Sequence, residues 1–163
     1  MLANASKIMT YDKSLLYKFI MELENITELT VIGVGASAGG LEALQDLLKY
    51  LPAKLNNAAF IVAQHLSPTY KSRMVELLRK NTTWKIVEAQ HGATLESNTM
   101  YITPPDTEIE IIHKKIKLSK PIHSPRPKPS VDTLFESLAI NYQNKSIGII
   151  LSGTGTDLSL IHI

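Results

Sequence analysis

The sequence predicts an α/β fold in which a mainly parallel sheet is flanked by helices, with a small antiparallel hairpin beside it. Two kinds of segment alternate along the chain. Runs that are apolar throughout, such as 58–63 and 147–151, are typical of parallel strands covered on both faces. Other segments, such as 41–51, carry apolar residues at helical spacing. This alternation favours a three-layer, Rossmann-like arrangement of helices around a parallel sheet.

Local patterns predict the individual elements. An apolar stripe through Leu15, Phe19 and Leu23 predicts a docking or linker helix near the N-terminus. Alternation of polar and apolar residues over 108–118 predicts a solvated antiparallel pair. The elements expected after the first helix are strand 30–34, helix 40–51, strand 58–64, helix 70–80, strand 85–88, strand 99–103, a hairpin near 108–119, a loop over 120–129, helix 131–141 and strand 146–151.

Composition excludes several classes of protein. The 163 residues, 44% hydrophobic and 20% charged, suffice for a single core and fit neither a disordered nor a membrane-spanning chain. The absence of cysteine excludes a disulfide framework and a thiolate nucleophile. Five histidines without ligand spacing give no support for a metal site, and a net charge of +2 gives none for nucleic-acid binding. We therefore expect no metal, no cofactor, no nucleic-acid partner and no membrane insertion.

A glycine-rich turn over 33–40, between a predicted strand and a predicted helix, holds one serine, Ser37. A phosphate-binding loop with this glycine spacing would need lysine at position 41, which is leucine. A dinucleotide fingerprint fits the turn, but the next strand ends in Gln64 and His65 instead of the acidic residue that holds a ribose. The sequence Gly-Ala-Ser-Ala-Gly at 35–39 matches a nucleophile elbow in the required strand–turn–helix context. From this motif alone, a tight turn with an incidental serine is an equal alternative.

Two further polar residues follow predicted buried strands in the same way as Ser37. His65 comes directly after strand 58–64, and Asp157 follows strand 146–151. Because the carboxyl ends of parallel strands open onto one crevice, we expect the three side chains at one edge of the sheet. A histidine there can take the serine proton, and a carboxylate can hold the imidazole in its working tautomer. Each residue alone has an ordinary structural explanation, but together with the serine turn they favour a catalytic triad.

Five segments, in the same order along the chain, resemble one family, the catalytic domain of the chemotaxis protein-glutamate methylesterase, CheB. Three of them carry the serine, the histidine and the aspartate, and two carry no catalytic residue. The segments are Gly-Ala-Ser-Ala-Gly-Gly (35–40), Gln-His-Leu (64–66), Met-Tyr-Ile-Thr-Pro-Pro (100–105), Pro-Ser-Val-Asp-Thr-Leu-Phe (129–135) and Leu-Ser-Gly-Thr-Gly-Thr-Asp (151–157). The resemblance thus covers most of the chain.

The resemblance implies a serine hydrolase that demethylates glutamate γ-methyl esters of methyl-accepting chemotaxis receptors and also deamidates receptor glutamines. Ser37 would be the nucleophile, His65 the general base and then acid, and Asp157 the group that orients His65. The backbone amides of Ala38 and Thr154 are the candidates for the oxyanion hole, although the family commonly has methionine where Thr154 stands. The implied partners are the receptors and a receptor methyltransferase, fused or separate, and the implied location is the cytoplasm.

The resemblance ends at Asp157, where the family motif continues with glycine and this chain continues with Leu-Ser-Leu-Ile-His-Ile. We therefore expect an N-terminal extension or linker helix over 1–29, a methylesterase-like catalytic domain over 30–157 and a divergent tail over 158–163. A chain truncated in this way at its C-terminus would leave strand 146–151 with an unpaired edge. Residues 1–29 are too short for the receiver domain that often precedes the family's catalytic domain. The alternative context is a fusion of methylesterase and methyltransferase, in which the esterase domain comes first and has no receiver domain. The open alternatives are a general serine esterase, an inactive truncated pseudo-domain and, least favoured, a nucleotide-binding module.

Overall fold

The computed structural model describes residues 7–10, 13–37, 39–64, 73–80, 82–121 and 131–152. The strands in these ranges are β1 (Lys7–Thr10), β2 (Thr30–Ala36), β3 (Ala58–Gln64), β4 (Lys85–Glu88), β5 (Thr99–Ile102), β6 (Glu108–Ile112), β7 (Lys115–Ser119) and β8 (Ser146–Ser152). The helices are α1 (Lys13–Leu23), α2 (Gly40–Tyr50), α3 (Met74–Arg79) and α4 (Val131–Tyr142), and a 3-10 turn, Gln143–Lys145, connects α4 to β8.

Six of these strands form one parallel sheet in the order β1-β8-β2-β3-β5-β4, and β6 pairs with β7 in a separate antiparallel sheet. The predicted mainly parallel sheet and its small antiparallel hairpin are therefore confirmed. Every residue of β2 and β3 is buried, as expected for strands that helices cover on both faces. β2 lies between β8 and β3. Ser37, which follows β2, therefore lies at the carboxyl end of a strand in the middle of the sheet.

Alternate residues of the central strands point to opposite faces, and each face has its own core. On one face, Ile32 and Val34 of β2 pack with Phe60 of β3 and with the apolar residues of α1, α2 and α3. On the other face, Val31 and Ile61 pack with α4 and with three isoleucines of the β6–β7 hairpin, Ile109, Ile111 and Ile116. The sheet thus forms the middle of three layers.

Phe19, Ile20 and Leu23 of α1 are buried in the first of these cores, which confirms this part of the apolar stripe predicted near the N-terminus. The role of α1 as a docking or linker helix stays a prediction. β1 was not predicted, because four residues are too few to display a period. It pairs with β8 over its whole length, so β8 lies between β1 and β2. The expectation of an unpaired edge at 146–151 is therefore wrong.

Most other element boundaries agree with the predictions to within one or two residues. The exception is the predicted helix 70–80, because α3 begins only at Met74. Residues 65–72, which include the start of that predicted helix, lie outside the described residues. The predicted loop 120–129 also falls mostly outside them.

α4 lies very close to β2 because glycines of the strand face it. A Cβ at Gly33 would lie 2.7 Å from Leu138 Cδ1, and a Cβ at Gly35 would lie 2.6 Å from Val131 Cγ1. Both distances are shorter than real Cβ contacts, so a side chain at either position would force the facing side chain of α4 to move. The first turn of α4 therefore covers the strand two residues before Ser37.

Candidate active site

Ser37 occupies the turn between β2 and α2. Its carbonyl oxygen accepts a hydrogen bond from the Gly40 N–H at 2.9 Å, and its side chain is partly buried. Gly39 has φ 78° and ψ 9°, a left-handed conformation that glycine adopts without the steric cost of a Cβ. α2 begins at Gly40, so N–H groups that have no partner within the helix lie beside the serine. The turn thus holds a hydroxyl at the amino end of a helix.

The carboxyl ends of two neighbouring strands flank this turn. β2 pairs with β3 on one side and with β8 on the other, and Ala36 is the register partner of both Gln64 and Ser152. The chain therefore leaves all three strands at the same level of the sheet. These are the strands that precede Ser37, His65 and Asp157 in the sequence.

Ser37 is the one predicted site residue that lies within the described residues. His65, Asp157, Ala38 and Thr154 lie outside them. The roles of all five residues stay predictions. What the structure adds is the strand–turn–helix context of Ser37 and the order of the three strands around it.

The register between β2 and β8 changes beside the serine turn. Gly35 pairs with Ile150, whereas Ala36 pairs with Ser152, so Leu151 is an extra residue in β8 at this step. A bulge of this kind bends its strand and redirects the side chains around it, and bulges are frequent next to active sites. Here it lies at the end of β8, from which the chain continues toward the predicted Asp157.

Two buried polar residues near the end of β3 were not assigned a role from the sequence. Gln64 packs against the amino end of α2, since its Nε2 lies 2.5 Å from where a Cβ at Gly40 would be. The Thr103 hydroxyl and N–H both donate to the Val62 carbonyl oxygen, at 2.7 Å and 3.0 Å, which ties the segment after β5 to β3. A polar residue at the end of an otherwise apolar strand was the signal available for Gln64. Thr103 likewise ends a predicted strand, 99–103.

Comparison with known proteins places the chain in a family. The family model described as CheB methylesterase matches residues 32–159. The chain belongs to the CheB methylesterase family. The matched segment contains the serine turn, Gln64 and the positions of all three predicted triad residues.

Individual proteins that resemble this CheB methylesterase family member support the same assignment. The protein-glutamate methylesterase/protein-glutamine glutaminase of Salmonella typhimurium is 34% identical over 131 residues, which are 78% of this chain and 37% of that protein. A relative of the same description, numbered 2, from Methanosarcina acetivorans is 34% identical over 143 residues, 83% of this chain and 40% of that protein. The crystal structure of the Thermotoga maritima CheB methylesterase catalytic domain matches with a TM-score of 0.69 at 26% identity, covering 79% of this chain and 70% of that chain. The chain spans about two fifths of the length of the curated relatives it matches.

The resolved pKa shifts of this CheB family member lie away from the serine turn. Lys145 holds the pKa of Glu28 below its usual value, through a hydrogen bond and its charge, and Glu96 raises that of Lys85 in the same way. Burial raises the pKa of Tyr142. Glu28 and Lys85 stand at or just before the start of a strand, and Tyr142 ends the helix that leads into β8, so all three lie toward the amino ends of the strands, whereas Ser37 follows the carboxyl end of β2.

Two searches of the described part of the chain found nothing. No group of three or more His, Cys, Asp or Glu residues there is arranged to hold a metal ion. None of the helices in those ranges combines the length and the apolar character needed to cross a membrane. Both statements apply to the described residues alone.

Proposed function

We propose that this chain is a serine hydrolase that demethylates glutamate γ-methyl esters of chemotaxis receptors and deamidates receptor glutamines by the same chemistry. The observation that carries the proposal is the position of Ser37 at the amino end of α2, between the strand ends that lead to His65 and Asp157. Membership of the CheB methylesterase family and the names of its relatives support the reaction class.

In the proposed first step, Ser37 Oγ attacks the ester carbonyl carbon while His65 takes the hydroxyl proton and Asp157 orients His65. The bond to the methoxy group then breaks, and His65 returns the proton, so that methanol leaves and an acyl-enzyme remains. Water attacks this acyl-enzyme with His65 again as base, which releases the glutamate carboxylate and restores Ser37. With a glutamine side chain, ammonia leaves in place of methanol.

The tetrahedral intermediate carries negative charge on the former carbonyl oxygen, and we propose the N–H groups of Ala38 and Thr154 as its donors. The start of α2 beside Ser37 supports this assignment, because N–H groups at a helix amino end lack partners within the helix and favour negative charge. The loss of one such donor typically lowers the rate by about 10²–10³.

The proposal also names partners and a location. The substrate is a methyl-accepting chemotaxis receptor that carries methylated glutamates. A methyl ester can be removed only after another enzyme has formed it, so a receptor methyltransferase, fused or separate, is the second proposed partner. A cytoplasmic location is part of the same proposal.

The proposal is tested by methanol release from a methylated receptor fragment. Ser37→Ala should lower the rate by about 10³ or more, because only substrate binding and oxyanion stabilisation remain. Its circular dichroism and melting temperature should stay close to those of the wild type. Ser97→Ala is the matched control, since Ser97 is an exposed serine in the turn before β5.

Two results would contradict the proposal. Wild-type turnover by the Ser37→Ala protein would show that another group is the nucleophile. Hydrolysis of p-nitrophenyl acetate without hydrolysis of the glutamyl methyl ester would show a general serine esterase.

A further inference from the structure

Gln64 ends a column of apolar side chains on one face of β3. Phe60 and Val62 point to the same face and are fully buried in the core that α2 covers. Gln64 is buried too, with 7% of its surface exposed. An amide therefore stands at the serine-turn edge of the sheet, where the pattern of the strand calls for an apolar residue.

The Gln64 amide has one polar atom without a partner in the described part of the chain. Its carbonyl oxygen, Oε1, is buried and has no hydrogen-bond partner among the described residues. A buried acceptor without a partner is destabilising, and an apolar side chain of similar shape would remove that cost. Violations of local rules of this kind are expected at functional sites. The placement of Gln64 therefore indicates a role in the site and not in the core.

The same amide contacts the turn that carries Ser37. A Cβ at Gly40 would lie 2.5 Å from Gln64 Nε2, 2.7 Å from its Cδ and 3.0 Å from the Ala36 Cβ. The Gly40 N–H is in turn bonded to the Ser37 carbonyl oxygen at 2.9 Å. One side chain thus connects the end of β3, directly before His65 in the sequence, to the serine turn.

We propose that Gln64 is a positioning residue for the nucleophile. Its amide sets the separation between the serine turn and the end of β3. Gly40 is required for the same contact, because any Cβ there would displace the amide. The inference rests on the proposed function in taking Ser37 as the nucleophile.

The first test is Gln64→Met, which keeps the length of the side chain and removes the amide. The rate of Ser37 labelling by a fluorophosphonate is measured over a range of reagent concentrations, together with the melting temperature. We expect the melting temperature to rise by about 2–4 °C, because an unpaired buried acceptor is lost. The inactivation rate constant should fall at least about tenfold while the reagent's half-saturation concentration stays nearly constant, as for a group that acts in the chemical step. Gln90→Met, at an exposed glutamine, is the matched control and should change neither quantity.

The second test uses the contact between the two positions. Gly40→Ala should lower the inactivation rate constant at least about tenfold, because the new Cβ overlaps the Gln64 amide. In the double variant Gly40→Ala/Gln64→Ala the overlap is gone. Its inactivation rate constant should therefore fall by less than the product of the factors by which Gly40→Ala alone and Gln64→Ala alone lower it. This comparison keeps the inference testable if Gln64→Met does not fold.

Each outcome separates this inference from the proposed function. Labelling of Gln64→Met at the wild-type rate, or strictly multiplicative losses in the double variant, would overturn the positioning role and leave Gln64 a packing residue. A wild-type protein that labels at Ser37 but releases no methanol would overturn the proposed function, while the positioning role is still measured. A folded wild-type protein that does not label would overturn both.

Discussion

At the scale of single residues, the serine turn combines three local requirements in a few positions. Ser37 supplies a hydroxyl, Gly39 adopts the left-handed conformation, and Gly40 leaves room for the Gln64 amide. The turn that carries the hydroxyl is closed by a hydrogen bond from the Gly40 N–H to the Ser37 carbonyl oxygen.

Tyr142, at the end of α4, tests what a buried polar group costs this fold. Its hydroxyl is buried without a hydrogen-bond partner among the described residues, and burial raises its pKa above the usual value of about 10. The unfolded chain therefore ionises first, and the folded state loses stability as the pH rises from about 10 toward the raised pKa. Tyr142→Phe should raise the free energy of unfolding at pH 8 by about 1 kcal/mol and reduce its decline above pH 10. Urea unfolding at pH 8 and at a pH above 10 measures the two effects.

Tyr17→Phe is the matched control for this prediction, because Tyr17 is 60% exposed. It should leave the free energy of unfolding unchanged at both pH values. A Tyr142→Phe protein no more stable than the wild type would show that the hydroxyl has a partner in solution.

Residues differed in how far the sequence could predict them. The serine turn was predictable because its residues are contiguous and its glycines specify the local backbone. The contact between Gln64 and Gly40 was not, because it joins two chain segments whose neighbourhood is a property of the folded sheet. The roles of His65 and Asp157 still rest on the sequence and the family, since both residues lie outside the described residues.

At the scale of elements, the approach of α4 to β2 depends on glycine. Gly35→Ala should lower the free energy of unfolding by about 1–3 kcal/mol, because the added Cβ would lie 2.6 Å from Val131 Cγ1. Val131→Ala in the same chain removes the overlapping methyl groups, so the double variant should be more stable than the sum of the single effects implies. Urea unfolding of the four proteins measures this coupling. Strictly additive effects would show that α4 shifts freely over the strand.

The elements themselves show which signals a sequence carries. β3 was predicted with its observed bounds because six consecutive small or apolar residues, 58–63, stand between the polar residues Asn57 and Gln64. β1 was missed because its four residues show no period and its pairing partner, β8, lies at the other end of the chain. The sequence of β8 alone therefore could not show that this strand lies between two others in the sheet.

At the scale of the whole molecule, β1 shields an edge that the rest of the sheet would expose. Removal of residues 1–12 would take β1 away and leave one side of β8 without its partner. Because exposed strand edges pair with other chains, this variant should associate in a concentration-dependent way, measured by light scattering. Removal of residues 1–6, which spares β1, is the control and should not do so. Equal behaviour of the two variants would show that the sheet does not need β1.

The central claim is that Ser37 is the nucleophile of this CheB methylesterase family member, and mass-spectrometric mapping of a fluorophosphonate adduct tests it most directly. We expect one adduct per chain, on the peptide that contains Ser37, and no adduct in the folded Ser37→Ala protein. An adduct on a different residue, or none on the folded wild-type chain, would contradict the claim.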